Sequence, residues 1–391
     1  MHARLWCVVA GMAALAASGA AGPAAAAPAP RITPLLLSVP QPPIPFRGSD
    51  GRTHLVYELH VLNFTSVDAT VRSVQVRTPS GRVIHTMGPT AVAGRLQPAG
   101  RRDATAALPA GSESLLFVHV RLPAGASAPA RLVHRIVARF PGAPPGRTVL
   151  TDTGGAVTVH RRPVVRFGPP LRGAGYISAD SCCDATRHTR AALPVDGRIT
   201  LAQRFAVDWE QRDASGRIYS GPKLDNRSYA IYGEPVYAVA DGRVASVVDG
   251  LPDNVPGDFP PGIDLPDADG NNVVLDVGGR NFVLFAHMQP GSVRVSPGQR
   301  VRRGDVLGLV GNSGNSIAPH LHVHVTSGPS PIVANGVPYG IDRFTVTGRT
   351  AGTDAFDRAE ADGVVLPVTP YSPPRVVRGA MPLDQLVVGF D

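Results

Sequence analysis

The sequence predicts an all-β protein built from two domains. Short apolar runs alternate with Gly, Pro, Ser and Asp turns along most of the chain, which is the pattern of antiparallel strands joined by tight connections. No segment after the N-terminus carries a long helical period of apolar residues. The chain has 391 residues, and a chain of this size is expected to form two domains that each bury a core.

The first 27 residues have the composition of a secretory signal peptide. Arg4 precedes an apolar stretch that runs from Leu5 to Ala21, and the small residues Ala24 to Ala27 offer a cleavage site. The alternative is a transmembrane anchor, but the stretch is short and is diluted by Gly and Ala. We therefore expect a secreted protein, extracellular or associated with the cell wall, without stable insertion in a membrane.

Residues 28–165 are predicted to form an immunoglobulin-like β-sandwich. The runs that indicate its strands include Leu55–Leu62, Ser73–Val76, Ser114–Val120 and Arg131–Ala138. Its histidines fall on separate runs without the spacing of metal ligands, so we expect ordinary strand or edge histidines. These are His54, His60, His85, His119, His134 and His160. The pattern leaves open whether this domain binds glycan or acts as a spacer.

The remainder of the chain divides into a linker, a second β domain and a tail. Residues 166–180 are rich in Gly and Pro and predict the linker. Residues 181–347 carry further short apolar runs and predict the second, antiparallel β domain. Residues 348–391 are interrupted by proline and predict an extended tail, either draped over the body of the protein or partly disordered.

The charge of the chain does not indicate a nucleic-acid partner. The formal net charge is +8, and Lys223 is the only lysine among the basic residues. The arginines are scattered, and no basic helix or aromatic-interleaved patch is present in the sequence. A cationic exported protein is instead attracted to an anionic cell wall.

Two adjacent cysteines remain after the predicted signal peptide is removed. Cys7 leaves with that peptide, so the mature thiols are Cys182 and Cys183. They can pair with each other, link two molecules or stay reduced, and an oxidising compartment favours a disulfide. The sequence leaves the three states open.

Three alternating histidines follow a Gly/Asn-rich loop in the second domain. Residues 311–322 read Gly-Asn-Ser-Gly-Asn-Ser-Ile-Ala-Pro-His-Leu-His, and a further histidine stands at His324. In a strand, His320, His322 and His324 would all point to one face, where neighbouring imidazoles can share a metal ion. The alternative is an amphipathic strand with solvated histidines.

This loop and its H-x-H sequence resemble the signature of the lysostaphin/LytM-type zinc metalloendopeptidases. These peptidoglycan hydrolases have a duplicated hybrid motif domain and cut peptide cross-bridges. The resemblance runs from about Gln203 to Val325 and implies a lysostaphin-like antiparallel β peptidase domain that holds Zn²⁺. It implies that His322 is a zinc ligand and that His320 is catalytic. The Phe-Ala-His strand that ends at His287 matches a second family motif and implies another catalytic histidine, whereas His324 receives no role.

The chain departs from the family at one metal ligand. The family's H-x-x-x-D motif supplies two ligands, but here the segment from Arg204 to Asp208 reads Arg-Phe-Ala-Val-Asp. A guanidinium stays protonated and cannot bind zinc. Asp208 remains a predicted metal ligand, and the second ligand must come from elsewhere if zinc is bound.

His188 is our candidate for the missing ligand. A three-residue hairpin loop at 195–197 would place Pro194 opposite Arg198 and His188 opposite Arg204. A register change of one residue would send His188 to the other face of the hairpin. The alternative is a surface histidine near the two cysteines.

Two functions follow from these motifs. The first is a secreted zinc metalloendopeptidase that hydrolyses peptide cross-links of bacterial peptidoglycan, with His188, Asp208 and His322 as metal ligands. His287 and His320 would be its catalytic histidines. The alternative is a catalytically inactive domain of the same fold that binds the cell wall or activates another hydrolase, and the Arg204 replacement is its main support.

Overall fold

A computed structural model describes residues 32–391 of the chain, so the predicted signal peptide lies outside the described residues. Within them, Pro34–Asp391 forms one compact unit. This unit is mostly β, with 25 strands and three α-helices, which confirms the predicted all-β class. Among the described residues, no helix combines the length and the apolar character that crossing a membrane requires.

Two antiparallel sheets make up the N-terminal part of this unit. Their strands are β1 (Leu35–Ser38), β2 (Phe46–Arg47), β3 (Thr53–Asn63), β4 (Ala69–Arg77), β5 (Val83–Met87), β6 (Leu96–Pro98), β7 (Ala107–Leu108), β8 (Glu113–Arg121), β9 (Arg131–Arg139) and β10 (Val149–Thr158), with helix α1 (Pro89–Ala93) between β5 and β6. The first sheet has the order β1-β3-β8-β6 with β2 beside β3, and the second has the order β10-β9-β4-β5 with β7 beside β4.

The two sheets bury their facing sides in a common core. In β9 every second residue from Leu132 to Ala138 is buried, as expected for a strand with one face towards a core. Leu59 of the first sheet and Ile136 of the second belong to the same buried cluster. The pair of sheets is therefore a sandwich, and its immunoglobulin-like topology stays a prediction.

One large sheet organises the rest of the chain. Its part of the sequence contains β11 (Val165–Phe167), β12 (Gly173–Ala179), α2 (Thr186–Thr189), β13 (Leu193–Val195), β14 (Arg198–Thr200), β15 (Val207–Gln211), β16 (Pro235–Tyr237), β17 (Gly242–Val248), β18 (Asn271–Asp276), β19 (Phe282–Met288), β20 (Arg300–Val301), β21 (Val306–Leu309), β22 (Leu321–Thr326), β23 (Tyr339–Thr350), α3 (Thr353–Asp362), β24 (Val368–Ala380) and β25 (Leu386–Phe390). The sheet has the order β11-β23-β25-β12-β15-β22-β19-β18-β17-β20, with β24 beside β23. Strands β13 and β14 form a hairpin, and β16 pairs with β21.

The segment predicted as a linker is instead a central strand of this sheet. Tyr176 of β12 pairs with Gln211 of β15 on one side and with Val388 of β25 on the other. The Gly-rich start of β12 is a bulge, since the register towards β25 shifts between Gly173 and Tyr176. At Gly175 a Cβ atom would lie 2.8 Å from the carbonyl oxygen of Arg212, so the glycine permits a close backbone approach rather than a flexible link.

The predicted tail is also part of the folded body. It contributes helix α3 and strands β24 and β25, and Phe356 and Ala359 of α3 are buried. Three of the prolines that suggested an irregular tail, Pro370, Pro373 and Pro374, lie on β24, which pairs only with β23 and is mostly exposed. An edge strand tolerates proline because its outer N–H groups need no partner in the sheet.

The sandwich and the large sheet share buried residues. Phe46 and Val56 belong to the same buried cluster as Phe205 and Trp209, and the rings of Phe46 and Phe205 meet edge to face with centroids 5.4 Å apart. These contacts fix the start of β15, the strand that carries Asp208.

Candidate metal centre

Three neighbouring strands of the large sheet form the frame of the centre. β15, β22 and β19 lie side by side in that sheet. Asp208 is the register partner of His322 across β15 and β22, and His322 is opposite Ala286, the residue before His287. Side chains of register partners lie on the same face at contact distance, so the sheet brings Asp208 and His322 together. His287 follows the register partner of His322 and leaves the strand alternation through its positive φ of 63°, and its ring centroid lies 5.7 Å from that of His322.

The structure brings all five predicted site residues into one cluster. Asp208 Oδ1 lies 2.8 Å from His322 Nδ1 and 3.5 Å from His320 Nε2, and Asp208 Oδ2 lies 3.3 Å from His188 Nε2. The rings of His287 and His320 have centroids 4.7 Å apart. The four histidines are each at most 8% exposed, so they form a largely buried polar cluster.

Backbone carbonyl groups fix the ring orientation of three of these histidines. Nδ1 of His188, His287 and His320 each lies 2.8 Å from a carbonyl oxygen, namely that of Asp180, Ser313 and Ala318. A carbonyl only accepts hydrogen bonds, so Nδ1 carries the hydrogen in each ring. In the neutral imidazole the Nε2 lone pair is then free, either to bind a metal or to accept a proton.

His322 obtains its orientation from a relay of side chains. His324 Nε2 lies 3.2 Å from the carbonyl oxygen of Pro331 and donates to it, which leaves His324 Nδ1 as an acceptor. That atom lies 2.8 Å from His322 Nε2, so His322 donates through Nε2. Its Nδ1 faces Asp208 Oδ1 at 2.8 Å, where a proton or a metal ion must lie between the two atoms. His324 thus supports His322 from behind.

Charge and burial set the ionisation of the cluster. Burial opposes protonation of His188, but the charge and hydrogen bond of Asp208 outweigh it and raise the pKa of His188 to about 9. Burial also opposes ionisation of Asp208, yet the charges of His188 and His320 hold its pKa well below the ordinary value. Burial lowers the pKa of both His287 and His322. Asp208 is therefore ionised and lies beside the neutral imidazoles of His287 and His322. A cation bound at this carboxylate can displace the extra proton on His188.

The Gly/Asn-rich loop holds the two histidines that were predicted to be catalytic. A Cβ atom at Gly311 would lie 2.4 Å from the backbone nitrogen of Gln289, so glycine lets the loop lie against the end of β19. There the loop supplies the Ser313 carbonyl to His287. His287 itself has a positive φ of 63°. This backbone conformation is costly for residues other than glycine, and residues that adopt it are concentrated at functional sites.

Arg204 points away from the cluster and into the sandwich. Its Nε lies 2.9 Å from Glu58 Oε1, and a second guanidinium nitrogen lies 2.5 Å from Glu58 Oε2. Arg204 and Glu58 are 5% and 1% exposed, so the pair is a buried bidentate ion pair.

His188 reaches Asp208 by a route different from the predicted one. The hairpin pairs Pro194 with Ile199 and Val195 with Arg198, so the predicted three-residue loop and its register are wrong. The loop has two residues, Asp196 and Gly197, which both have positive φ and suit a tight hairpin turn. His188 lies on helix α2 before this hairpin. The helix places the His188 imidazole beside Asp208, near the start of β15.

Two sandwich histidines meet a cysteine in a second cluster that no sequence pattern indicated. His54 Nδ1 lies 2.9 Å from His119 Nε2 and 3.8 Å from Cys183 Sγ, so two histidines predicted to be ordinary strand or edge residues contact each other and a cysteine. Cys183 is bonded to Cys182 in a disulfide. The two histidines are 65 residues apart and share no motif, so only the pairing of their strands could have revealed the contact.

The donor set of the predicted site fits zinc. The ligand atoms of His188, Asp208 and His322 lie within 4.8 Å of one another, and two imidazole nitrogens with one carboxylate oxygen are ligands that zinc commonly takes. His287, His320 and His322 form a second, overlapping group within the same limit. His287 and His320 thus lie beside the three candidate ligands, where they can act on a bound substrate.

Part of the chain matches a known family. Residues 227–334 match the model of peptidase family M23, and this segment includes His287, His320 and His322. The resemblance that the motifs indicated is therefore confirmed, and this segment is similar to peptidase family M23. His188 and Asp208 precede the matched segment. A search of curated proteins finds no match.

Solved structures of other proteins align with the chain at low identity. One is a single-residue variant of the catalytic domain of the prophage-encoded M23 protein EnpA from Enterococcus faecalis, with 20% identity and a TM-score of 0.26 over 44% of this chain and 94% of that chain. Another is the catalytic domain of lysostaphin from Staphylococcus simulans, with 19% identity and a TM-score of 0.22 over 42% of this chain and 88% of that chain. A zinc-containing peptidase from Vibrio cholerae aligns with 16% identity and a TM-score of 0.24 over 77% of this chain and 83% of that chain.

Proposed function

We propose that the protein is a secreted zinc metalloendopeptidase that hydrolyses peptide cross-links of bacterial peptidoglycan. The observation that carries the proposal is the convergence of His188, Asp208 and His322, whose ligand atoms lie within 4.8 Å of one another. These three residues would hold the zinc ion. When bound, zinc would polarise the scissile carbonyl group and lower the pKa of a water molecule.

His287 and His320 are the proposed catalytic residues. Each donates Nδ1–H to a backbone carbonyl, so its neutral Nε2 can take a proton from the attacking water. The resulting imidazolium can then donate that proton to the leaving amine and stabilise negative charge on the scissile oxygen. Burial and the neighbouring histidines lower the pKa of His287, which keeps this ring neutral and ready to accept a proton.

The proposed substrate and location rest on the sequence. The loop and H-x-H motif resemble those of enzymes that cut peptidoglycan cross-bridges, and the first 27 residues have the pattern of an export signal. The net charge of +8 suits a protein that works on an anionic wall.

The position of Arg204 favours this proposal over an inactive, wall-binding domain. That alternative assumed that the lost family histidine leaves Asp208 without a partner. Here Arg204 pairs with Glu58, and His188 Nε2 lies 3.3 Å from Asp208 instead. A relocated ligand accounts for both contacts.

Matched histidine variants test the proposal. His188→Ala and His322→Ala should lose zinc and activity together, whereas His287→Ala and His320→Ala should keep zinc and lose about 10²- to 10⁴-fold in rate. Zinc is measured by elemental analysis of the purified protein, and activity is measured as turnover of cross-linked peptidoglycan fragments.

The exposed His160 supplies the control, since His160→Ala should change neither quantity. Full zinc content and turnover in His188→Ala would refute the relocated ligand. A wild-type protein that binds no zinc would instead favour the inactive domain.

A further inference from the structure

The cluster of His54, His119 and Cys183, here called the junction cluster, lies where the sandwich meets the large sheet. His54 is on β3 and His119 is on the adjacent strand β8, while Cys183 follows β12. The ligand atoms of the three residues lie within 4.8 Å of one another. His54 is only 1% exposed, so this is a built interior group rather than a chance surface contact.

Two carboxylates determine which ring nitrogens of the junction cluster carry hydrogen. Asp50 Oδ1 lies 3.0 Å from His54 Nε2, and Asp184 Oδ2 lies 3.0 Å from His119 Nδ1. An ionised carboxylate only accepts hydrogen bonds, so each of these ring nitrogens donates. A metal-binding imidazole commonly donates the hydrogen of its other ring nitrogen to a carboxylate, which fixes the orientation of the ring.

The opposite nitrogens of the two rings then face each other as acceptors. His54 Nδ1 and His119 Nε2 are 2.9 Å apart, and two lone pairs at this distance repel unless a proton or a metal ion lies between them. A neutral imidazole with a free lone pair is the form that binds a metal.

Two arginines keep the supporting carboxylates ionised. Arg121 Nε lies 2.7 Å from Asp50 Oδ2, and a guanidinium nitrogen of Arg95 lies 2.6 Å from Asp184 Oδ1. Burial raises the pKa of Asp184, but its hydrogen bond with His119 and the nearby positive charges outweigh burial and lower it. The junction cluster thus has both the ligands and the supporting charges of a metal site.

We propose that the junction cluster binds one divalent cation of the zinc class through His54, His119 and the thiolate of Cys183, and that the Cys182–Cys183 disulfide controls this binding. A dithiol reductant transfers two electrons to the disulfide, which yields two thiols, while the dithiol itself becomes a disulfide. The cation then displaces the proton of the Cys183 thiol. A disulfide sulfur carries no charge and is a poor ligand, so the oxidised chain lacks the third ligand.

The geometry suits a tetrahedral ion with one open position. Zinc–nitrogen distances of about 2.0–2.1 Å place two tetrahedral ligand nitrogens roughly 3.4 Å apart, so the two rings need to separate by only about 0.5 Å. A cavity of about 730 Å³ adjoins His54, His119 and Cys183 and gives an ion access from solvent. Two imidazoles and a thiolate match the ligand preferences of zinc and cobalt.

Cobalt(II) provides a readout that is specific to the junction cluster. A thiolate ligand gives cobalt a charge-transfer absorption in the near ultraviolet, and the candidate metal centre contains no cysteine ligand. We expect the full chain to gain this absorption after reduction with dithiothreitol and removal of the reductant, with an intensity that corresponds to about one thiolate-bound cobalt ion per chain. The oxidised chain should lack it. His322→Ala should retain it, so failure of the proposed peptidase function would not affect the result.

The two cysteines supply a matched pair of variants. Cys182→Ser removes the disulfide but leaves the Cys183 thiol, so it should bind cobalt without any reductant. Cys183→Ser leaves Cys182 and Cys7, which is distant in sequence, and should lose the absorption. Asp184→Asn should weaken cobalt binding by about 10- to 100-fold through loss of support for His119. His60→Gln should behave as wild type, because His60 contacts Glu113 in a separate, exposed pair.

Two results would overturn the proposal. One is the absence of the absorption in the reduced wild-type chain, a test that depends on no substitution and therefore on no variant folding correctly. The other is an undiminished absorption in both His54→Gln and His119→Gln, which would mean that Cys183 binds cobalt without the two histidines.

Discussion

Arg204 belongs to the structural framework of the protein. The sequence resemblance predicted that its position is that of a lost metal ligand, and its guanidinium forms a buried ion pair with Glu58 of the sandwich. A buried pair gains little over an apolar pair of the same size, but loss of one partner leaves an uncompensated charge in the interior. The residue therefore matters for the contact between sandwich and sheet rather than for zinc.

Removing one partner of this pair should be costly. We expect Arg204→Met to lower the free energy of unfolding by about 3–5 kcal/mol, because Glu58 is left buried and charged. Urea denaturation measures this loss. The double variant Arg204→Met/Glu58→Leu should recover most of it, and zinc content should stay unchanged in both variants. A loss of zinc in Arg204→Met without loss of stability would contradict this assignment.

His134 should make the stability of the protein depend on pH. It is fully buried, with Nδ1 3.0 Å from the Gly155 carbonyl oxygen and Nε2 2.7 Å from the Tyr57 hydroxyl group. Burial lowers its pKa from 6.5 to about 4. Between these values the unfolded chain binds a proton that the native protein does not, so stability falls as the pH drops from about 6.5 to about 4.

The shift in the pKa of His134 from 6.5 to about 4 corresponds to a loss of about 3 kcal/mol in the free energy of unfolding across this pH range. Urea denaturation at a series of pH values measures it. In His134→Gln, which has no imidazole to protonate, the stability should be lower at neutral pH but should depend less on pH across this window. Equal pH dependence in the two proteins would rule out His134 as the group responsible.

At the scale of elements, helix α3 links the predicted tail to the candidate metal centre. Phe356 and Ala359 pack in a buried cluster with Ala318, whose carbonyl oxygen accepts the hydrogen bond of His320. The helix ends at Gly363, which has a left-handed conformation that suits glycine at this position. The segment that appeared irregular in sequence thus supports His320, the proposed catalytic histidine.

Phe356 is the main anchor of this helix. Phe356→Ala should lower the free energy of unfolding by about 3–5 kcal/mol, as expected for truncation of a buried aromatic ring. The exposed Arg358 on the same helix gives the control, and Arg358→Ala should change stability by no more than about 0.5 kcal/mol. Thermal or urea unfolding distinguishes the two, and similar losses would show that the ring is not an anchor.

Local patterns in the sequence predicted some elements and could not predict others. The alternation of His320, His322 and His324 predicted strand β22 and a shared face, because side-chain direction in a strand depends only on position. The partner of that strand depends on register, which links residues more than a hundred positions apart and leaves no local pattern. The glycines before Tyr176 predicted a linker because a bulge in a central strand and a flexible connection require the same residue.

Residues Pro34–Asp391 form a single compact unit in which the sandwich, the large sheet and the predicted tail depend on one another. Phe46 of the sandwich and Phe390 of β25 belong to one buried cluster with Trp209. The backbone of Ser49 donates to the Met381 carbonyl oxygen at 2.9 Å, which joins the sandwich to the end of β24. The described chain is therefore expected to unfold cooperatively.

Removing residues 348–391 tests this dependence. The truncation deletes β24 and β25 and exposes the edge of β12, which carries the fully buried Tyr176 and Ile177. We expect an aggregated or unfolded product, because the new edge is apolar and unpaired. Circular dichroism and size-exclusion chromatography measure the outcome, with removal of Asp391 alone as the control. A soluble, folded, zinc-binding product would show that the tail is dispensable.

The position of β12 between β15 and β25 also has a consequence for the timing of assembly. Ser178 on β12 donates to the Leu383 carbonyl oxygen across 205 residues, so a nascent chain must lengthen by that amount before this part of the sheet can close. At about 5–20 residues per second, elongation over this distance takes roughly 10–40 seconds. Contacts between such distant segments also slow folding itself. The chain therefore remains without its completed sheet during most of its synthesis.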